Sequence, residues 1–507
     1  MKRNPGTLLL LAAMTLPLFD AVHAWAGPSV AAARAITNTR GGRNDQAVVD
    51  KRGKAVLFVS NADHASGVLE PGVGAFDFDG TGNGFSSSEG PTCGNCMMND
   101  DSAGNLYLWR MRGRKGVASN SVVQLTFSTG GGFDANENPD MDPRARWAVW
   151  DSDQDHIGTN ADGNAEIFLL EISSGAISQI TVSSGGSRGA QRLPTIDDDG
   201  ERIAFLSTRD FSGAEHCRRP DRTTPCQNGD QNSEVMIYDR SSGLLTQVTD
   251  TTGDGSEAQG GVRITADGAA LTFRSTRDFS GILGGGLSCV AMGSGGACSN
   301  DGNGEIMFYE IDEGRLTQIT QTINQSGCND KTSSEAPEVT GSGAALVFHS
   351  ECEAQLNPLG CGACNGNDEA FLVEVARGRI SQITITDAGW NRSPRISDAG
   401  NYLAFESNRD LLGTNPNHSE TIFVLKRSNA KSKPGLLNRM QLAEDAVLDA
   451  AGVEPHPRVR ATAVSIAGGF SSHGRIGLSS NGRVLAFESS QDVGNQEVWF
   501  VDRSRSR

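Results

Sequence analysis

Asp151-Ser152-Asp153-Gln154-Asp155 sets three carboxylates at alternate positions, and Asp162 follows seven residues after the last of them. Hard oxygens at such spacing suit calcium, which takes about six to eight of them. His156 stands where an EF-hand-like loop needs glycine, so Asp151, Asp153, Asp155 and Asp162 read as a candidate calcium site of irregular build. A second stretch, Asp77-x-Asp79-x-Thr81-Gly82-Asn83, has the glycine but carries Ser88 where the bidentate glutamate belongs. Both stretches also read as solvated acidic loops. Calcium is the one cofactor these residues suggest.

The ten cysteines form a second constellation. Cys93-Gly94-Asn95-Cys96 and Cys361-Gly362-Ala363-Cys364 have the C-x-x-C spacing used in thiol exchange and zinc binding. No βαβ pattern surrounds them, and Met97 and Asn365 stand where haem attachment needs histidine. In an oxidising compartment the default is disulfides. Sequence alone leaves their connectivity open. The expectation is local pairing: Cys93–Cys96, Cys217–Cys226, Cys289–Cys298, Cys328–Cys352 and Cys361–Cys364.

Other catalytic signatures are scarce. Gly185-Gly186-Ser187-Arg188-Gly189 matches the nucleophile-elbow pattern, yet it lies in a Gly/Ser-rich loop and not at a strand-to-helix turn. The histidines are scattered, and His349, inside an apolar run, reads as packed or hydrogen-bonded. There is no phosphate-cradling loop or dinucleotide fingerprint. No residue is assigned a catalytic role.

The elements that must position these groups come from a repeat. An aromatic-x-Ser pattern closes a short apolar run seven times: Phe58-x-Ser60, Trp150-x-Ser152, Phe205-x-Ser207, Phe273-x-Ser275, Phe348-x-Ser350, Phe405-x-Ser407 and Phe487-x-Ser489. Around the third copy, Pro194 to Ile196, Arg202 to Ser207, Glu234 to Tyr238 and Leu245 to Thr249 read as four strands joined by turns such as Asp199-Gly200. Four antiparallel strands in a meander make one propeller blade. Gln124-Leu125-Thr126, Gln179-Ile180-Thr181, Gln247-Val248-Thr249, Gln318-Ile319-Thr320 and Gln382-Ile383-Thr384 each end a unit. The sixth unit carries a basic insertion, about 427–458, with a short helix expected from Met440 to Ala451 and a fourth strand near Ala463 to Ile466. The seventh unit lacks a fourth strand, and Arg34-Ala35-Ile36-Thr37 is a spare one. The expected fold is therefore all-β: a seven-bladed propeller over 34–507 with four-stranded blades, its ring closed by the N-terminal strand.

An acidic residue follows each second strand (Asp63, Asp155, Asp210, Asp278, Glu353, Asp410, Asp492), and a glutamate opens most third strands. Sevenfold recurrence points to scaffolding, with backbone N–H groups as partners. The insertions gather on the face bearing second-to-third and fourth-to-first connections, where function tends to sit.

Residues 1–24 read as a signal peptide, with Lys2 and Arg3 ahead of an apolar stretch from Leu8 to Leu18 and cleavage after Ala24 or Ala26. That stretch is too short to span a bilayer, and no later one approaches the length. The mature chain is expected in the periplasm or secreted. A net charge of -17 argues against nucleic acid or an anionic membrane as partner.

Asp199-Gly200-x-x-Ile203-Ala204-Phe205, Asn164-x-Glu166-Ile167-Phe168 and Gln318-Ile319-Thr320, with equivalents in most units, resemble the TolB-type WD-like propeller repeats. The resemblance covers nearly the whole mature chain and implies a protein-binding platform of the bacterial envelope. The expected function is thus an exported, non-catalytic, monomeric propeller that binds a protein or envelope component through its disulfide-braced loop face. The alternative is a calcium-dependent hydrolase or lactonase-like propeller. Unrepeated polar side chains converging on the channel would favour the enzyme; an apolar or aromatic patch on the loop face would favour the platform. The basic stretch from Lys426 to Arg439 reads as a docking element or a solvated linker.

Overall fold

The structure is a computed structural model that describes residues 29–503 apart from 33, 38–42, 62–102, 111–120, 129–134, 185–190, 254–258, 281–287, 293–296, 323–336, 353–366, 412–414, 416, 428–441, 444–459, 466–475 and 493–494.

Short apolar runs become strands buried on both faces, as a sheet stacked between two others requires. In blade 1, Ala55–Ser60 is buried at every residue and pairs antiparallel with Asn105–Arg110. Seven such meanders follow one another around a ring. Blade 3 runs Gln191–Ile196, Arg202–Ser207, Glu234–Asp239 and Leu244–Gln247, the strands expected from its sequence. The core is accordingly divided into seven apolar wedges, one at each blade-to-blade joint.

The ring closes as the spare strand implied. Arg34–Ala35 pairs antiparallel with Asn495–Asp502. The Ile36 N–H donates to the Val498 carbonyl at 2.8 Å, and Thr37 Oγ1 accepts the Val498 N–H at 2.8 Å. Ile36 is fully buried in the wedge between blades 7 and 1, with Val49, Val56, Trp109, Val498 and Phe500.

Each repeated residue type has a local cause. The aromatic of aromatic-x-Ser stacks on a third-strand ring, as in Phe58 on Tyr107, Trp150 on Phe168 and Phe348 on Phe371, with centroids 5.8, 5.7 and 5.4 Å apart. The serine hydroxyl turns the chain out of the strand. Oγ of Ser207, Ser275, Ser350 and Ser407 accepts the N–H two residues on, each at 3.0 Å. The glutamate that opens third strands clasps the fourth. Glu234 accepts from Thr249 Oγ1, from the Thr251 N–H at 2.7 Å and from Thr251 Oγ1 at 2.8 Å, and Thr249 Oγ1 accepts the Val235 N–H at 2.9 Å. Glu166 and Glu305 repeat the clasp on Thr181 and Thr320. In blade 1 Asn105 takes the place, its Oδ1 accepting from Thr126 Oγ1 at 3.1 Å and the Ser128 N–H at 2.8 Å.

Among the described residues three blades exceed four strands. In blades 3 and 4, Cys217–Arg218 and Ser288–Ala291 lie parallel to the fourth strands, and the disulfides Cys217–Cys226 and Cys289–Cys298 close the loops behind them. The fourth-strand glutamines grip these loops: the Gln247 amide bonds both backbone groups of Gln227 at 2.8 and 2.7 Å, and Gln318 does the same to Ser299 at 2.9 and 2.8 Å. Both inserts therefore leave the loop face and cover the outer blade edge, where unpaired backbone groups need partners. In blade 6, Ser29–Ala32 lies parallel to Arg460–Ser465 and covers the edge there.

The helix expected from Met440 to Ala451 is corrected where the structure describes it: Leu442–Ala443 pairs as a parallel strand with Thr384–Ile385, covering backbone groups just past the fourth strand of blade 5. The rest of the 427–458 insertion, apart from Arg427, lies outside the described residues. The two local pairings in blades 3 and 4 are as expected. Cys352 is also disulfide-bonded; Cys93, Cys96, Cys328, Cys361 and Cys364, the Asp77–Asn83 stretch and the Gly185–Gly189 loop lie outside the described residues.

Candidate functional site

Three of the four carboxylates read as a calcium site are held in separate tasks. Asp151, buried on Trp147–Ser152, accepts the Leu193 N–H of blade 3 at 3.2 Å. That N–H is turned out of its ladder because Leu193 has φ 55° at a bulge in the first strand of blade 3. Asp153 Oδ1 accepts the Gln154 amide at 2.6 Å, and Asp155 Oδ1 accepts the Asn160 N–H at 3.0 Å. That backbone bond to Asn160, with others from the same turn, holds the Asp155 carboxyl below its ordinary value. Asp162 is exposed. Among the described residues no group of three or more His, Cys, Asp or Glu side chains is placed to hold a metal ion.

In blades 2, 3 and 6 the acid that follows the second strand has a common task. Asp210 and Asp410 accept the N–H of Asn228 and Asn415 at 3.1 and 2.7 Å, as Asp155 does for Asn160. Each asparagine amide then donates to a carbonyl four residues on, at 2.9 Å for Asn160 and Asn228 and 2.6 Å for Asn415. The loop root is thus the same whether the acid and the asparagine are five residues apart or eighteen.

His156 is the exception in this loop. Sequence register places it where blades 3, 4 and 6 carry Phe211, Phe279 and Leu411, all buried. Its ring meets Trp150 and Phe168 edge-on at 5.5 and 4.9 Å, and Nε2 lies 3.1 Å from Ser152 Oγ and 2.9 Å from Asn136 Oδ1. A serine–histidine contact beside an aspartate invites a nucleophilic reading. However, Ser152 Oγ already donates to the Ala135 carbonyl at 2.5 Å and accepts the Gln154 N–H at 3.1 Å. Burial pushes the imidazole down to about 4, which Asp155 offsets only in part. Above about pH 6.5 it is neutral folded and unfolded, and contributes no pH dependence. As pH falls from there toward 4 the unfolded chain binds a proton that the folded chain refuses, so stability is lost. His156→Phe should therefore gain about 1–2 kcal/mol over the native protein on going from pH 7.5 to pH 5, read from urea melts at both. Parallel pH profiles for the two proteins would mean that His156 titrates normally.

Around the axis the blades stop being alike. One register position of the first strands, paired in turn with Leu57, Val149, Ala204, Thr272, Val347, Ala404 and Ala486, carries Val48, Asp140, Thr195, Arg263, Glu338, Arg395 and Gly477. All seven line a central cavity of about 120 Å³. Asp140 accepts from Thr195 Oγ1 at 2.9 Å and the Ile196 N–H at 3.1 Å. Glu338 Oε2 lies 3.3 Å from Arg263 Nε and 3.5 Å from Arg395 Nη1. Arg263 Nη1 donates to the Val262 carbonyl at 3.0 Å, and Arg395 Nε to the Ile476 carbonyl at 3.0 Å.

The far end of the channel is drawn together by the first-to-second turns. Asp198, Asp267, Gly341 and Ser480 donate backbone N–H bonds to Ala266, Gly341, Asp398 and Lys51 at 2.9, 3.2, 3.1 and 2.9 Å. Gly341 has no room for a side chain, since a Cβ would come within 2.9 Å of Ala266 Cβ. Lys51 reaches across to pair with Asp198 and with Asp398 Oδ1 at 3.3 Å. Burial alone would lower its ammonium, but Asp398 and Asp198 outweigh that and hold it above its ordinary value.

The axial charges lie in the first strands, outside the second- and fourth-strand motifs that make the repeat visible. Aligning Asn44–Val49, Asn136–Met141, Gln191–Ile196, Gln259–Ile264 and Asn391–Ile396 would have exposed them, because the register position that varies between valine, aspartate, threonine and arginine stands out against its repeated neighbours.

No protein-family model matches the chain, and no curated protein matches it. Solved structures of similar fold include TolB from Acinetobacter baumannii, at 16% identity over 64% of this chain and 57% of that one, with a TM-score of 0.35. Oligogalacturonate lyase from Vibrio parahaemolyticus is 11% identical over 92% of each chain, with a TM-score of 0.48. The acylaminoacyl peptidase of Pyrococcus horikoshii is 8% identical over 91% of this chain and 51% of that one, with a TM-score of 0.43. TolB proteins are thus among the structural neighbours, and the likeness concerns the propeller fold alone. Among the described residues no helix is long and apolar enough to cross a membrane.

Proposed function

We propose that the protein is an exported, non-catalytic binding platform for a protein or envelope component, working in the periplasm or outside the cell. The observation that carries this reading is the matched pair of disulfide-closed inserts on neighbouring blades 3 and 4. Each is braced at its described residues by a parallel strand, a disulfide and a glutamine clamp, and a surface fixed in advance loses less entropy on binding. Their covalent closure fits an oxidising compartment. The carboxylates that recur in the blades are engaged with backbone and hydroxyl donors, which supports scaffolding over chemistry.

The test is capture from envelope extract by the oxidised protein, with cross-linking to map the contact. A defined partner should cross-link to residues of the two inserts. The double variants Cys217→Ser/Cys226→Ser and Cys289→Ser/Cys298→Ser should each lose about 2 kcal/mol of stability and most of the capture. Unchanged capture by both would remove the inserts from the binding face. Calcium should leave capture and melting temperature unchanged; a calcium-dependent rise in melting temperature would favour the hydrolase reading built on Asp151, Asp153, Asp155 and Asp162.

A further inference from the structure

We infer that the outer edge of blade 2, Ala176–Gln179 with the Thr181-Val182 step beyond it, is a docking site for an extended cationic segment of a partner polypeptide, added as a parallel strand. The other blades show what such an edge takes. In blades 3, 4, 5 and 6 a strand of the chain itself lies parallel to the fourth strand or to its continuation. Blade 2 has no such cover among the described residues, and Ala176–Gln179 ends its sheet. Its register is that of blade 3, since Gln179 faces Phe168 as Gln247 faces Met236. In blade 3 the Leu245 N–H donates to the His216 carbonyl at 2.8 Å, and in blade 4 the Gln318 carbonyl accepts the Met292 N–H at 2.8 Å. The corresponding groups of blade 2, the Ile177 N–H and the Gln179 carbonyl, have no covering strand to meet among the described residues. An open row of this kind is a template for strand addition.

The side chains record the same gap. Leu245 and Val248 in blade 3 and Leu316 and Ile319 in blade 4 are buried, whereas their counterparts Ile177 and Ile180 are only half-buried. Val182 is 69% exposed, while its counterpart in blade 5, Ile385, pairs with Ala443 and is half-buried. Ile157, 44% exposed, stands two residues before Thr159, whose hydroxyl meets the Gln179 side chain. The charge of the occupant follows from the blade. From Trp147 to Ser184 the chain has six carboxylates and no lysine or arginine. Asp155 and Asp162 are exposed in the loop that reaches Gln179 through Thr159, and Glu171 is paired opposite Ala176 at the other end of the strand. Arg146, just ahead of this stretch, is tied to Asp142 at 2.9 Å and to the Asp198 carbonyl at 3.0 Å. Acids thus stand at both ends of an apolar strip, and a strand with lysine or arginine flanking β-branched residues complements it. The edge belongs to blade 2, so the inference does not rest on the inserts of blades 3 and 4.

The test titrates a labelled peptide, KVTVTVK, with the oxidised full chain and reads fluorescence anisotropy. One control, EVTVTVE, keeps the apolar content and reverses the charge; the other, KVTPTVK, keeps the charge and lacks the central backbone donor. Saturable binding of KVTVTVK is expected, about tenfold or more tighter than either control. Val182→Lys, at an exposed position, should weaken it about tenfold or more, and so should Ile177→Pro, whose lost N–H faces outward from an edge strand. The paired cysteine variants of blades 3 and 4 should bind the peptide as the native protein does, which separates this edge from capture by the inserts. Equal binding of KVTVTVK and KVTPTVK would reduce the effect to charge attraction and overturn strand addition. Native affinity in Val182→Lys would overturn the site, and that variant decides should Ile177→Pro fail to fold. A concentration-dependent dimer that Val182→Lys dissociates would seat a second copy of the chain on this edge and overturn the partner peptide.

Discussion

Ile36→Asp should cost about 4–5 kcal/mol and turn one cooperative unfolding transition into an early loss of the joint between blades 7 and 1. Ile36 is fully buried among aliphatic and aromatic side chains, from Val49 and Trp109 on one side to Val498 and Phe500 on the other. A carboxylate there is stripped of water and either stays charged in a largely apolar setting or takes up a proton. Both routes oppose the pairing that closes the ring, which rests on Arg34–Ala35, the Ile36 N–H and Thr37. Ile36→Val should cost about 1 kcal/mol, because only a methyl group is lost. Tryptophan fluorescence in a urea melt reports on the joint through Trp109, which lies within it. If Ile36→Asp unfolds within about 0.5 kcal/mol of the native protein, some other segment closes the ring.

This closure was legible in the sequence for a definite reason. A missing fourth strand after Val501 and a spare one at Arg34 to Thr37 are countable once the repeat is seen, and a propeller with an open edge exposes unpaired backbone. The second strands were equally legible, because burial on both faces forces apolar runs such as Ala55–Ser60 and Ala345–Ser350. The outer inserts were not. Cys217–Arg218 and Ser288–Ala291 are short and lack any alternation, and what makes them strands is the neighbouring fourth strand and a nearby disulfide. Leu442–Ala443 shows the same limit, since its helical spacing was overruled by an edge at Thr384–Ile385 that only the fold creates. The axial charges were present in the sequence, but their convergence depends on the ring, which brings Arg263, Glu338 and Arg395 together across 132 residues from first to last.

The clasp at the head of the third strand should be the second most sensitive point. Glu234→Ala removes the acceptor for the Thr249 hydroxyl, the Thr251 N–H and the Thr251 hydroxyl at once, all of them buried. Groups left without partners in that setting make the loss about 3 kcal/mol at pH 5. The cost should shrink with rising pH. Burial pushes the Glu234 carboxyl up to about 7, against hydrogen bonds from Thr249 and Thr251 that favour the charged form. Between the ordinary value near 4.5 and about 7 the folded chain holds a proton that the unfolded chain has released, so native stability falls as pH rises through that window. Glu234→Gln keeps an oxygen for Thr251 and cannot ionise. It should be about 1 kcal/mol less stable than the native protein at pH 5 and equal to it or better at pH 8. Urea melts of both variants at the two pH values separate the contributions. A Glu234→Gln deficit that stays constant with pH would mean that the carboxylate is ionised throughout and the three donors alone set its acidity. Glu305→Ala should cost a similar amount of stability, because its carboxylate takes the same three donors from Thr320 and Thr322. A clasp that works alike in separate blades belongs to the scaffold, which leaves the axial wall and the rim inserts as the places where this chain departs from its own repeat.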